Sequence, residues 1–135
     1  MQPVVIERPD PEPTILVIDD DLDTRASLFD LLEDGGYYVV TARNGLEALE
    51  LLRNGLRPRA MLVDYYMPLM DGETFCLACD ADPHLAPIPR VVVSGSRRAR
   101  DRTEQCRARA FMEKPVKAED VFGVLGSLVV TPGLS

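Results

Sequence analysis

The chain has 135 residues, 46% of them hydrophobic, a formal charge of −7 and a pI near 4.7. That is the size of one domain with enough apolar surface for a core, and the acidic balance argues against general binding to nucleic acid or anionic membranes. The aliphatic runs are too short to span a bilayer, the start lacks a signal-peptide pattern, and three cysteines make no disulfide framework, so a reducing, cytoplasmic setting is expected.

Prolines at positions 3, 9, 11 and 13 remove backbone donors, so residues 1–13 read as a loose or extended tail. A single domain is expected over 14–130, followed by a short tail at 131–135. Ile15 to Ile18 is a continuous aliphatic run, as in a strand buried on both faces. Asp21 to Glu33 follows as a helix with Leu28, Leu31, Leu32 and Phe29 on its buried stripe and Gly35 as the stop. Tyr37 to Ala42 reads as the second strand. Asn44 caps a second helix through Leu46, Ala48, Leu49 and Leu52.

Ala60 to Asp64 is the third strand, closed by the Met67-Pro68 turn, and Gly72 to about Asp80 is a short helix. Arg90 to Ser94 is the fourth strand. Arg97 to Arg107 is the weakest helix, with only Ala99, Cys106 and Ala108 as apolar support near it. Ala110 to Met112 is a short fifth strand, and Lys117 to Val130 is the last helix. Five strands each followed by a helix imply a parallel sheet with helices on both faces. Ligands of such sheets sit at the carboxyl ends of the strands.

The strand ends carry a consistent set of side chains. The first strand runs into Asp19, Asp20 and Asp21, the third ends in Asp64, the fourth in Ser94, and the fifth leads to Lys114 and Pro115. Asp19, Asp20 and Asp64 brought together would repel one another, and a hard divalent cation with oxygen ligands relieves that repulsion. Mg2+ suits such a site, with Mn2+ as its substitute. An ammonium and a hydroxyl beside one carboxylate complete a place for a phosphoryl group, with Asp64 as the nucleophile. Taken singly, each feature has a plainer reading: an acidic helix cap, a serine after a strand, a solvated Lys-Pro turn. Their agreement across four strand ends is what carries weight.

Four stretches, ILVIDDD at 15–21, MLVDYYMPLMDG at 61–72, VVVSG at 91–95 and FMEKP at 111–115, give the chain from Thr14 to about Val130 its resemblance to receiver domains of two-component response regulators. The resemblance implies the flavodoxin-like (βα)5 fold with strand order 2-1-3-4-5. It implies phosphoryl transfer from a histidine kinase or phosphotransfer protein to Asp64. It further implies direct Mg2+ ligation by Asp20, ligation by Asp19 through water, and the backbone carbonyl of Tyr66 as the third protein ligand. Ser94 and Lys114 would contact the phosphoryl oxygens, and Phe111 would follow the state of Ser94. Such a domain is a switch acting only on its own aspartate, not an enzyme on other substrates.

Three features depart from that picture. Tyr66 stands where relatives face the attacking water, so its ring either shields the acyl phosphate or points outward. The Ser94-to-Lys114 spacing is short, and residues 97–109 hold six arginines against Asp101 and Glu104. This region lies on the implied output face of fourth helix, fifth strand and fifth helix, and is either a solvated surface or a dock for a downstream protein partner. Cys76 and Cys79, with His84 beyond them, read as buried thiols in preference to a zinc or redox site. The sequence is expected to be a stand-alone receiver; a receiver cut from a larger hybrid kinase or regulator and a phosphorylation-independent scaffold are the alternatives. A flavin carrier on the same fold fails on charge, because aspartates occupy the place of its phosphate loop. An aspartyl-phosphate phosphohydrolase would place its nucleophile after the first strand with a second aspartate two residues beyond, where Asp21 fits only weakly, and would carry a cap domain that is not expected here.

Overall fold

The computed structural model describes residues 14–102 and 106–128; the expected tails, Glu104 and the last two residues of the final expected helix lie outside them. Five strands form one parallel sheet: β1 (Thr14–Ile18), β2 (Tyr38–Ala42), β3 (Ala60–Asp64), β4 (Arg90–Ser94) and β5 (Ala110–Glu113), in the order β2-β1-β3-β4-β5. This is the order expected from the sequence. The α-helices are α1 (Leu22–Asp34), α2 (Gly45–Arg53), α3 (Gly72–Asp80) and α4 (Ala118–Leu128).

Alternation along the strands divides the core into two layers. Leu16, Ile18, Met61, Val63 and Val92 face α2 and α3, where Ala48, Leu49, Leu52, Phe75, Cys76 and Cys79 meet them. Ile15, Val17, Leu62, Val91 and Val93 face the opposite layer, with Leu28 and Leu32 of α1 and Val121 and Leu125 of α4. β3 and β4 are buried at all five of their positions, which explains why their sequences show no polar alternation. Phe29, expected on the buried stripe of α1, is only half-buried, since the helix buries a narrower stripe than its apolar content suggested.

Caps set where the helices begin. Asp21 accepts from the Thr24 amide at 3.0 Å and from its hydroxyl at 2.6 Å. Asn44 accepts from the Glu47 amide at 2.9 Å, and Asp71 from the Thr74 amide at 2.8 Å. Each satisfies a donor of the open first turn.

The expected fourth helix is a 3-10 segment, η1 (Arg97–Arg102). Ala99 is its buried side chain among those described, while Arg98, Arg100 and Asp101 are exposed. One small apolar residue anchors too little for a full amphipathic α-helix. Among the described residues, no helix is long and apolar enough to cross a membrane.

Candidate functional site

The parallel register brings the predicted side chains to one edge. Ile18 pairs with Val63, so Asp19 and Asp64 each stand one residue beyond that row; Ser94 ends β4 opposite Glu113, one residue before Lys114. Carboxylate oxygens of Asp19, Asp20 and Asp64 all lie within 4.8 Å of one another. Asp19 and Asp64 are 2% and 6% exposed, whereas Asp20 faces solvent. This arrangement is buried at its base and open at its mouth.

Lys114 supplies the opposing charge. Its Nζ lies 2.8 Å from Asp19 Oδ2 and 3.5 Å from Asp64 Oδ1. Burial alone would depress this ammonium, but the hydrogen bond to Asp19 and the charges of Asp64 and Asp19 outweigh it, so its pKa is raised and the charge is firmly held. Asp64 behaves in the opposite sense. Burial, then the charge of Asp19, push its carboxyl up to about 7, with Lys114 only partly offsetting them and the contact with Asp20 raising it further. One ammonium is insufficient for three carboxylates.

The donor set fits a hard divalent cation: acidic oxygens only, two of them on buried side chains, in a cluster whose charge raises a carboxyl pKa. It is the sole such group found among the described residues. Cys76 and Cys79 are fully buried while His84 is exposed on a turn, so they do not converge on a metal.

Ser94 is buried at 1% exposure, and its Oγ accepts a hydrogen bond from the Ser96 amide at 3.1 Å. Phe111 is half-buried against the α2–α3 layer, with the Arg100 guanidinium 5.5 Å from its ring centre. Tyr66 is 51% exposed and meets the Tyr65 ring edge-on at 4.8 Å. The Lys114-Pro115 peptide bond is cis.

Some supporting residues were not apparent in the sequence. The Arg25 guanidinium donates to the Asp19 carbonyl at 2.8 Å and fixes the chain that carries the acidic run. Tyr65 donates its hydroxyl to Glu73 at 2.6 Å, joining the residue after Asp64 to α3. An open groove of about 480 Å³ runs beside Lys114, lined by Thr24, Ser27, Leu28, Leu31 and Val116 among others. Arg25 sits on the first turn of α1, where a basic residue signals nothing by itself. Only the fold turns it onto the Asp19 carbonyl.

The sheet order and an acidic pocket at the strand carboxyl ends define an α/β receiver-type switch domain, the class to which matching structures also belong. Residues 15–125 match the response regulator receiver domain family, and the chain belongs to that family. It is 34% identical over 116 residues to the two-component response regulator ORR3 of Oryza sativa subsp. indica, covering 84% of this chain and 88% of that protein. It is 33% identical over 115 residues to the response regulator MprA of Mycobacterium sp. (strain KMS), covering 85% of this chain and 50% of that longer protein. Among solved structures, the signal receiver domain of a histidine kinase from Syntrophus aciditrophicus superposes with a TM-score of 0.81 at 29% identity, covering 91% of this chain and 94% of that one. Receiver domains are signalling modules of two-component systems that interact with histidine kinases or phosphotransfer proteins.

Proposed function

We propose that this chain is the phosphoacceptor of a two-component phosphorelay, taking a phosphoryl group onto Asp64 and signalling through the face of η1, β5 and α4. The observation that carries this reading is the cluster of Asp19, Asp20 and Asp64 with Lys114 3.5 Å from Asp64. An oxygen of Asp64 attacks the donor's phosphorus, the phosphorus bond to the donor's imidazole nitrogen breaks, and the nitrogen leaves with the electron pair. Lys114 neutralises the acyl phosphate, and the Ser94 hydroxyl, turned from Ser96, donates to a phosphoryl oxygen. Phe111 follows Ser94 and carries the change to the outer face.

Mg2+ held by Asp19, Asp20, Asp64 and the Tyr66 carbonyl, with Mn2+ as a substitute, would supply charge neutralisation at the phosphoryl oxygens. A receiver domain of a Pseudomonas aeruginosa sensor histidine kinase, of the same fold at 20% identity, was solved with magnesium in its active site cleft. The output face exposes Arg98, Arg100, Arg107 and Arg109, which suits an acidic protein partner in the cytoplasm.

Incubation with an acyl-phosphate donor and Mg2+, read by intact mass, is expected to add one phosphate that disappears in Asp64→Asn. Absence of addition from every donor would favour the scaffold reading. Tyr66 covers the acceptor in this proposal, so Tyr66→Asn is expected to shorten the lifetime of the phosphorylated form roughly threefold to tenfold. An unchanged lifetime would mean that the exposed ring plays no shielding part.

A further inference from the structure

Every polar atom of Asp19 is engaged. Its amide donates to the Ala42 carbonyl at 3.1 Å, and its own carbonyl accepts from Arg25 Nη1 at 2.8 Å. Of its carboxylate oxygens, Oδ1 accepts from the Asp21 amide at 2.9 Å and Oδ2 from Lys114 Nζ at 2.8 Å. Asp21 is fixed in turn as the cap of α1, through its bonds to Thr24. Asp20 lies between these two pinned residues with its side chain in solvent.

A carboxylate that faces solvent has no packing to choose its direction, so its backbone sets where it points. The carbonyl that Arg25 grips belongs to the Asp19–Asp20 peptide, a rigid plane whose orientation decides where the Cα–Cβ bond of Asp20 is aimed. Arg25 is itself well anchored. Its amide donates to the Asp21 carbonyl at 3.0 Å as α1 begins, and the half-buried side chain lies in a groove lined by Leu22, Ala26, Phe29 and Thr41.

We propose that Arg25 is a positioning residue for the divalent-cation site: by holding the Asp19–Asp20 peptide it aims the Asp20 carboxylate at the cation shared with Asp64. This role rests on the acidic pocket being the cation site proposed above. Arg25 acts through the peptide and does not touch the cation. Partners that orient a metal ligand in this way change affinity by about tenfold or more when lost. The charge of the guanidinium works in the other direction, since it repels a nearby cation. The two effects therefore have opposite signs. If Arg25 were only a nearby charge, its removal would tighten cation binding; as the brace of the peptide, its removal weakens it.

The test measures Mn2+ binding to the full chain from the electron paramagnetic resonance signal of free Mn2+, with Mg2+ as competitor. Arg25→Met keeps an unbranched apolar stem for the groove and removes the donor, and its dissociation constant for Mn2+ is expected to rise about tenfold. The Mg2+ concentration that half-saturates phosphoryl uptake from an acyl-phosphate donor should rise in parallel, with the rate at saturating Mg2+ close to the parent's. A purely structural role would lower the melting temperature and leave the affinity of the folded protein unmoved. Unchanged or tighter Mn2+ binding in folded Arg25→Met therefore overturns the proposal. Where that variant does not fold, Arg25→Gln, too short to reach the carbonyl, decides on the same criterion. Binding that Asp20→Asn abolishes and Arg25→Met leaves intact removes only the role of Arg25. A parent protein that binds no Mn2+ removes the cation site and this role together.

Discussion

Metal-free protein carrying Asp64→Asn is expected to be more stable than the parent at about pH 8, with more than half of the gain lost at about pH 5. Burial and the charge of Asp19 raise the Asp64 pKa from 3.8 to about 7. In the unfolded chain the carboxyl titrates near its ordinary value. Between about pH 4 and about pH 7 the native state therefore binds more protons than the unfolded one, and stability falls as pH rises through that window. The shift corresponds to at most roughly 4 kcal/mol at neutral pH and above. Asparagine removes the charge and keeps the shape. Lys114 keeps its 2.8 Å partner Asp19, so the substitution leaves no orphaned ammonium. Thermal melts across pH, with and without Mg2+, check this: the parent should gain more from the cation than the variant. Equal melts at about pH 8 would show that burial of the Asp64 charge costs the fold nothing.

Gly72→Ala is expected to destabilise the protein by about 3 kcal/mol and to impair phosphoryl uptake as well. A β-carbon at this position would lie 2.7 Å from the Asp64 carbonyl oxygen and 2.8 Å from the Tyr65 α-carbon. Both are backbone atoms with no rotamer to yield. The Gly72 amide also donates to the Tyr65 carbonyl at 2.7 Å, pinning the start of α3 to the end of β3. Relief of the clash must move the strand end that carries the acceptor. Gly123 and Gly126 on α4 provide the control, because a β-carbon there meets nothing within 4 Å. Alanine at either is expected to stabilise by about 0.5–1 kcal/mol. Denaturant titration of the three variants separates backbone crowding from helix propensity; similar effects at all three positions would refute the crowding account.

The stretches most legible in the sequence were those where one local force dominates. Ala60 to Asp64, Gly72 to Asp80 and Arg90 to Ser94 begin and end where the residues indicate, because unbroken aliphatic runs, an Asp cap and flanking prolines leave few alternatives. The segment after Ser94 was less legible. Its arginines are compatible with an exposed helix, and only the shortage of anchoring side chains signalled the 3-10 turn that forms. Arg90 read as the polar first residue of a strand, yet it is among the most buried charges of the fold. Its partners, Asp80 and the Cys106 carbonyl, lie ten and sixteen residues away in the chain, and no local pattern announces them.

The sequence by itself determined the alternation of strands and helices, the strand order through the family resemblance, and the residue types gathered at the strand ends. Those follow from hydrophobic period, caps and turns, which act over a few neighbouring residues. Tertiary structure alone decided that the Lys114 ammonium rests closer to Asp19 than to Asp64, that burial raises the Asp64 pKa to about 7, and that the Arg90 guanidinium reaches the Cys106 carbonyl. Distances between side chains on different strands, and the solvent excluded around them, are set by the packing of the whole sheet.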